Sequence, residues 1–279
     1  MLITGAAGMV GRAVRKFCEQ SGDTVLAYDH KQLDIADDEK VRRLVSSNKP
    51  DAIINCAAWT DVDGCESNVE RAFAANARGP ENLAAASRDV NAVFVTISTD
   101  YVFDGFKEGF YTQEDRPNPQ SVYGRAKLEG EQRAQEANKA SIIVRSGFIF
   151  GPGGKNFLST ITDRARKHEP IKAISDSYGT PTYARDLAKR LRELAQLGHP
   201  EIFHVANSGD GASYLEFARE AIRFAGLGEP EIEEVLTASL NRPAPRPQNS
   251  RLRCLYSAGL GLVSLPDWRD SLRQFAKET

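Results

Sequence analysis

The eight residues Thr4-Gly5-Ala6-Ala7-Gly8-Met9-Val10-Gly11 constrain this chain more than any other stretch. They follow a short apolar run, Met1–Ile3, and open an amphipathic segment, Met9–Gln20, so the glycines fall between a strand and a helix. Their G-x-x-G-x-x-G spacing is a relative of the dinucleotide-binding G-x-G-x-x-G. Residues without a Cβ permit the tight turn, let the backbone approach a pyrophosphate, and bring the helix close to the strand. The helix then aims its free amides and positive dipole end at the phosphates. Gly5, Gly8, Met9 and Val10 are the expected contacts, and a glycine turn with no ligand is the plain alternative.

The rest of the first half repeats that rhythm. Apolar runs at Thr24–Ala27, Ala52–Asn55, Val93–Ile97 and Ile142–Val144 alternate with helical patterns near Glu39–Ser46, Val69–Ala86 and Val122–Ala137. Strands separated by helices predict βαβ units and an α/β fold with a parallel, doubly wound sheet. After Gly151-Pro152-Gly153-Gly154 the rhythm loosens. A helix is expected over Phe157–Lys167, a strand over Ile202–Ala206 and another helix over Tyr214–Ala225, while three prolines keep Arg242–Asn249 irregular. The division expected is a nucleotide-binding domain over 1–150 and a smaller, mainly substrate-binding lobe over 151–279. A segment near 180–207 is expected to return to the first domain.

Asp29 closes the second strand 18 residues after Gly11, near the ~20-residue offset of a carboxylate that binds the adenosine ribose. It favours NAD, but His30 and Lys31 offset its charge, so NADH and NADPH both stay open. Asp34 and Ile35 border the adenine or simply lead into the next helix. Ala57 and Ala58, after the third strand, leave room for a ligand or merely pack closely.

Tyr123 and Lys127 lie four apart on one helix face. A tyrosine hydroxyl titrates near ~10, and an ammonium beside it is expected to lower that value and make it a usable acid. Thr99 ends the fourth strand on the same sheet edge as the glycine loop, placed to bond a substrate carbonyl oxygen or to cap a turn. Ser98 is its rival, pointing the other way by strand alternation. Asp100 is expected to satisfy loop amides.

Bulk properties exclude other classes. A net charge of -2 with 27% charged residues lacks the basicity of a nucleic-acid binder. No run of eighteen apolar residues offers a membrane span, and the first residues read as a strand rather than a leader, so a cytoplasmic protein is expected. The four cysteines, Cys18, Cys56, Cys65 and Cys254, are scattered, and no histidine falls at metal-ligand spacing, so reduced thiols and no metal are expected.

Taken together, GAAGMVG near the start, NCAAWTDVDGCE at 55–66, STDYVFDG at 98–105 and YGRAKLEGE at 123–131 resemble the extended short-chain dehydrogenase/reductases. GGKNF at 153–157, DSYGTPTYARDLA at 176–188, FHVANSG at 203–209 and RPQNSRL at 246–252 extend the likeness over essentially the whole length, towards the dTDP-4-dehydrorhamnose reductase family. The resemblance implies a Rossmann-type domain and NADPH or NADH as hydride donor. It implies reduction of the 4-keto group of a dTDP-6-deoxy-L-hexose, to dTDP-L-rhamnose when the sugar is dTDP-4-dehydrorhamnose. It makes Thr99, Tyr123 and Lys127 the catalytic triad, with Tyr123 as proton donor and Lys127 holding the nicotinamide ribose. Tyr101, Phe148, Asn156 and Arg246 become substrate residues, Arg246 facing the diphosphate, and Asn76 a support for the site. Phe148 replaces a family tryptophan in Arg145–Gly151, which loosens the sugar's identity. A nucleotide-sugar epimerase, another keto-sugar reductase and a non-catalytic coenzyme-binding subunit are the alternatives. A homodimer is left open.

Overall fold

A computed structural model describes residues 1–154 and 157–278. Five short strands run in chain order: β1 Leu2–Thr4, β2 Leu26–Tyr28, β3 Ala52–Asn55, β4 Val93–Thr99 and β5 Ile142–Ser146. With the strand Ile202–His204 added beside β5, they form one six-stranded sheet in the order Ile202–His204, β5, β4, β3, β1, β2, every pair parallel. Because β2 lies on one side of β1 and β3 on the other, the order reverses at β1. A crevice therefore opens at the carboxyl ends of β1 and β3, where α/β sheets of this kind take ligands.

The sheet is buried on both faces, which explains its apolar strands. Leu2, Ile53, Phe94 and Ile143 share a core with Val41, Val45, Leu83 and Ala134. These belong to α2 (Asp38–Asn48), α5 (Gly79–Asp89) and α6 (Val122–Ala137). Ile3, Ile54, Val95 and Val144 point the other way, against Val14 and Cys18 of α1 (Met9–Gln20) and Leu187, Leu191 and Leu194 of α8 (Ala184–Leu197). The register Ile3 to Ile54 to Val95 is the period-2 alternation turned into a layer.

Between β3 and β4, α3 (Val62–Ser67) and α4 (Val69–Phe73) precede a π-helical turn at Ala74–Arg78 that runs into α5. The expected single helix over Val69–Ala86 is thus continuous but widened by one turn. The smaller lobe holds α7 (Phe157–Arg166), α9 (Tyr214–Phe224) and α10 (Trp268–Glu278) with two-stranded pieces, such as Ile171–Ile174 beside Ile232–Val235. Its aromatic core joins Phe150, Tyr183, Phe217, Trp268 and Phe275. Arg242–Asn249 carries no helix or strand. Among the described residues no helix is long and apolar enough to cross a membrane, and all four cysteines are free thiols.

Candidate active site

The site grows from four strand ends on one edge. A buried polar ladder underlies it. The Thr4 hydroxyl donates to Asn55 Oδ1 at 2.6 Å, and Asn55 Nδ2 donates to Thr96 Oγ1 at 2.9 Å, linking β1, β3 and β4 in register. Above it Gly5 sits at φ 66°, and a Cβ there would stand 2.6 Å from the Ala57 nitrogen, so only glycine lets the loop lie on the β3 end. Helix α1 begins at Gly8 with no side-chain cap and no acidic residue in its first turn. By contrast α2, α3, α6 and α9 are capped by Asp37, Asp61, Ser121 and Ser213. An uncapped helix start behind a glycine loop fits the phosphates of a dinucleotide.

Two cavities open there. One, about 560 Å³, is walled by Gly5, Gly8, His30, Asp34 and Ile35. The other, about 260 Å³, is lined by Val10, Thr99, Tyr101, Tyr123, Lys127 and Phe148. Cys56, Ala57 and Ala58 border both, so the two share a wall. Asn76, buried in the π-helical turn, steadies that wall's extension, accepting the Trp59 N–H at 2.9 Å and donating to the Trp59 carbonyl at 3.0 Å.

Two further residues expected at the coenzyme do not line either cavity. Asp29 borders neither cavity: its Oδ1 accepts the N–H groups of Lys31 and Gln32 at 2.9 and 3.0 Å, tying up its turn. The Met9 side chain packs beside Gly151 and Gly154. Asp34 does both things foreseen for it, accepting the Ala36 N–H at 3.0 Å while facing the larger cavity.

Tyr123 and Lys127 are placed by the start of α6. The Ser121 hydroxyl accepts the Gly124 N–H at 3.1 Å and Glu66 Oε1 accepts the Val122 N–H at 2.7 Å, which fixes where the helix begins. Both side chains are buried. The expected lowering of the tyrosine pKa is not found. Burial pushes the Tyr123 hydroxyl above its usual range, and only a hydrogen bond with Thr99 opposes this. Lys127 Nζ donates to the Ile97 carbonyl at 2.6 Å, and burial holds the ammonium down to about 8 against the pull of Glu131.

Thr99 caps and faces the cleft at once. Its Oγ1 accepts the Tyr101 N–H at 3.2 Å and its hydroxyl donates to Asp100 Oδ1 at 3.0 Å. Ser98 is committed away from the cleft's ligands, its hydroxyl donating to Glu131. Asp100 takes the expected loop amides, its own and that of Tyr101, and it also lines the cleft, buried, where desolvation raises its carboxyl to about 6. A Cβ on Gly147 would stand 2.1 Å from that carboxyl carbon, so glycine makes room for it.

Phe148 adopts φ 51°, a left-handed conformation uncommon for an aromatic residue, and its ring lies 4.3 Å from that of Tyr214. Tyr101 crosses Tyr123 edge-on at 6.0 Å. Arg246 is not in the cleft lining. Its guanidinium holds Asp63 through bonds of 2.8 and 3.0 Å, while its neighbour Pro247 and Ser250 reach the cleft. Asn156 lies outside the described residues. Sequence reading missed Ser146, whose buried hydroxyl lines the cleft without a hydrogen-bond partner. Its signal was its position at the end of β5, in register with Thr99. Among the described residues no three His, Cys, Asp or Glu side chains gather as metal ligands, and His204 is buried with Nδ1 between two backbone carbonyls.

The chain is similar to known proteins over nearly its whole length. A dTDP-4-dehydrorhamnose reductase of Mycolicibacterium smegmatis is 40% identical over 98% of this chain and 84% of its own length. The spore coat polysaccharide biosynthesis protein SpsK of Bacillus subtilis is 36% identical over 100% of this chain and 97% of its own. The crystal structure of dTDP-4-dehydrorhamnose reductase from Bacillus anthracis in complex with NADP superimposes with a TM-score of 0.96 at 33% identity, covering 100% of this chain and 98% of that one. The family model described as the RmlD substrate binding domain matches residues 1–279, and the chain belongs to that family.

Proposed function

We propose that this protein is an NAD(P)H-dependent reductase of the 4-keto group of a dTDP-6-deoxy-L-hexose, converting dTDP-4-dehydrorhamnose to dTDP-L-rhamnose. The carrying observation is the cleft in which Thr99, Tyr123 and Lys127 meet, sharing the Cys56–Ala58 wall with the glycine-loop cavity. The coenzyme, when bound, supplies the hydride. Gly5, Gly8, His30, Asp34, Ile35, Ala57 and Ala58 hold its adenosine and phosphate end, with α1 starting behind the glycine loop without a side-chain cap or an acidic residue in its first turn. Asp29 does not line the cavity, and His30 stands beside Asp34 on its wall, so the reading takes in NADPH as well as NADH.

Tyr123 gives a proton to the sugar oxygen as it gains charge, and its buried hydroxyl stays protonated at neutral pH, as an acid must. Thr99 hydrogen-bonds the same oxygen after turning from Asp100, and Lys127 holds the nicotinamide ribose. Phe148 and Tyr101 flank the sugar, and Asn156 belongs to its binding lobe. Arg246 faces the substrate diphosphate once it leaves Asp63, for which its planar fork is suited. Residues 1–150 form the coenzyme domain and 151–279 mainly the substrate lobe, with the stretch near 180–207 serving the former. The setting is the cytoplasm.

The test is an assay of NADPH and NADH oxidation with dTDP-4-keto-6-deoxy-L-mannose. One coenzyme consumed per sugar reduced is expected. Interconversion of sugars without net oxidation identifies an epimerase, and no turnover on any keto-sugar identifies a binding subunit; either overturns the proposal.

A further inference from the structure

Beneath the cleft lies a buried ion pair that the chemistry above does not use. Glu131 stands one helical turn beyond Lys127 on α6 and Arg145 near the end of β5, with side chains only 3% and 4% exposed. Arg145 Nη2 meets Glu131 Oε2 at 2.7 Å and Nε meets Oε1 at 3.0 Å, a two-point clasp. The Ser98 hydroxyl donates to the same carboxylate, and the residue before it, Ile97, receives the Lys127 ammonium. The Arg145 guanidinium also lies over the Phe103 ring at 5.3 Å. A buried pair of this kind is a poor source of stability, since apolar residues of similar size serve as well or better. Its place under the catalytic ammonium calls for another role.

We propose that Glu131 is a positioning residue for the reduction: its carboxylate, locked by Arg145 and Ser98, is the counter-charge that holds the Lys127 ammonium charged and in place. This rests on the reading of Lys127 as the ribose-holding cation. The groups facing Lys127 from each packed element leave little else for that task. From the end of β3 comes the Cys56 thiol, neutral because burial pushes it up to about 12. From β4 come the Ile97 carbonyl and the Ser98 hydroxyl, neither of them charged. Tyr123 on α6 itself stays neutral, and Asp100 raises the Tyr123 hydroxyl rather than acting on Lys127. From β5 comes Arg145, itself a cation and so no counter-charge for an ammonium. Among the described residues Glu131 is thus the one carboxylate that opposes the cost of burying Lys127.

The test uses pH. Coenzyme affinity, followed by NADPH fluorescence, and kcat/KM are both expected to fall as pH rises through about 8, where Lys127 loses its proton, and Lys127→Met is expected to remove that dependence. In Glu131→Gln the fall moves down by about one pH unit or more, the usual effect of a lost neighbouring opposite charge. Because that variant strands a buried guanidinium and can fail to fold, Glu131→Gln/Arg145→Met is the deciding one. It removes both charges, folds with an unchanged circular dichroism spectrum, and keeps the downward shift. A double variant with the wild-type pH dependence overturns the proposal and leaves the pair a packing element. The coenzyme titration needs no sugar, so it gives its answer even if the chain reduces no keto-sugar.

Discussion

Replacing Tyr123 by phenylalanine separates chemistry from packing, because the structure divides the residue cleanly. Its ring belongs to a cluster with Cys65, Ala72, Val122 and Ala126 and meets Tyr101 edge-on at 6.0 Å, all contacts a phenylalanine ring keeps. Only the hydroxyl is lost, and one polar contact of that kind is worth about 0.5–1.5 kcal/mol net. Removing a buried polar group offsets part of that, so Tm is expected to move by no more than about 2–4 °C. Coenzyme affinity should stay within about threefold, since RT ln 3 is only about 0.7 kcal/mol. The rate behaves differently. A general acid contributes roughly 10²–10⁴-fold, or about 3–5 kcal/mol of barrier: the Thr99 hydroxyl, which donates to Asp100, is far too weak an acid to take its place, and the Lys127 ammonium is anchored on the Ile97 carbonyl. Single-turnover hydride transfer, read by nicotinamide absorbance with enzyme in excess over keto-sugar, isolates that step from product release. A variant with wild-type single-turnover rate refutes the assignment of Tyr123 as the acid. A slow variant with a collapsed Tm or lost coenzyme binding shows that the residue serves the fold and refutes the separation made here.

Three further outcomes follow from the same geometry. Asp100→Asn removes a carboxylate whose folded-state pKa, about 6, stands above its unfolded value. Ionising it in place therefore costs stability, and the variant should gain up to about 3 kcal/mol, an advantage absent below about pH 4 and complete above about pH 6; melting curves across that range that run parallel to wild type would contradict it. Asp63→Asn frees Arg246 from a partly exposed pair worth at most about 1 kcal/mol, so stability changes little while KM for the dTDP-sugar falls up to about fivefold; an unchanged KM argues that Arg246 does not meet the diphosphate. Gly5→Ala forces a side chain to within 2.6 Å of the Ala57 backbone at a left-handed φ and should abolish coenzyme binding or folding, which isothermal titration beside a thermal melt will separate.

Much of this molecule can be read from residue order alone, and the exceptions share a cause. Helices α1 and α6 begin and end where the amphipathic pattern places them, and β3 matches its apolar run residue for residue. The β4 and β5 strands run two residues further than their apolar cores, through Ser98-Thr99 and Arg145-Ser146. Thr99 and Ser146 are polar where the strands meet the cleft, and Ser98 and Arg145 where they meet the buried Glu131, so hydrophobicity understates strand length where a sheet has polar work to do. Helix α8 is hard to see in the sequence although Leu187, Leu191 and Leu194 carry the right spacing, since many charged residues surround that stripe.

The harder failures concern partners rather than elements. Asp29 sits where a ribose-binding carboxylate belongs, yet the amides of its own turn claim it. Arg246 has the chemistry for a diphosphate and is engaged by Asp63, 183 positions away. The four-residue spacing of Tyr123 and Lys127 brings them to one face without saying what burial does to each. Desolvation is the largest influence on both, raising one and lowering the other. Spacing also hides the group that answers that desolvation. Glu131 continues the same helix face one turn on, while its clasp, Arg145, lies in a strand that reads as core. A charge inside an apolar strand signals a buried partner, because an unpaired guanidinium there would cost several kcal/mol. That signal identifies a requirement, and only the three-dimensional register between β5 and α6 identifies what meets it.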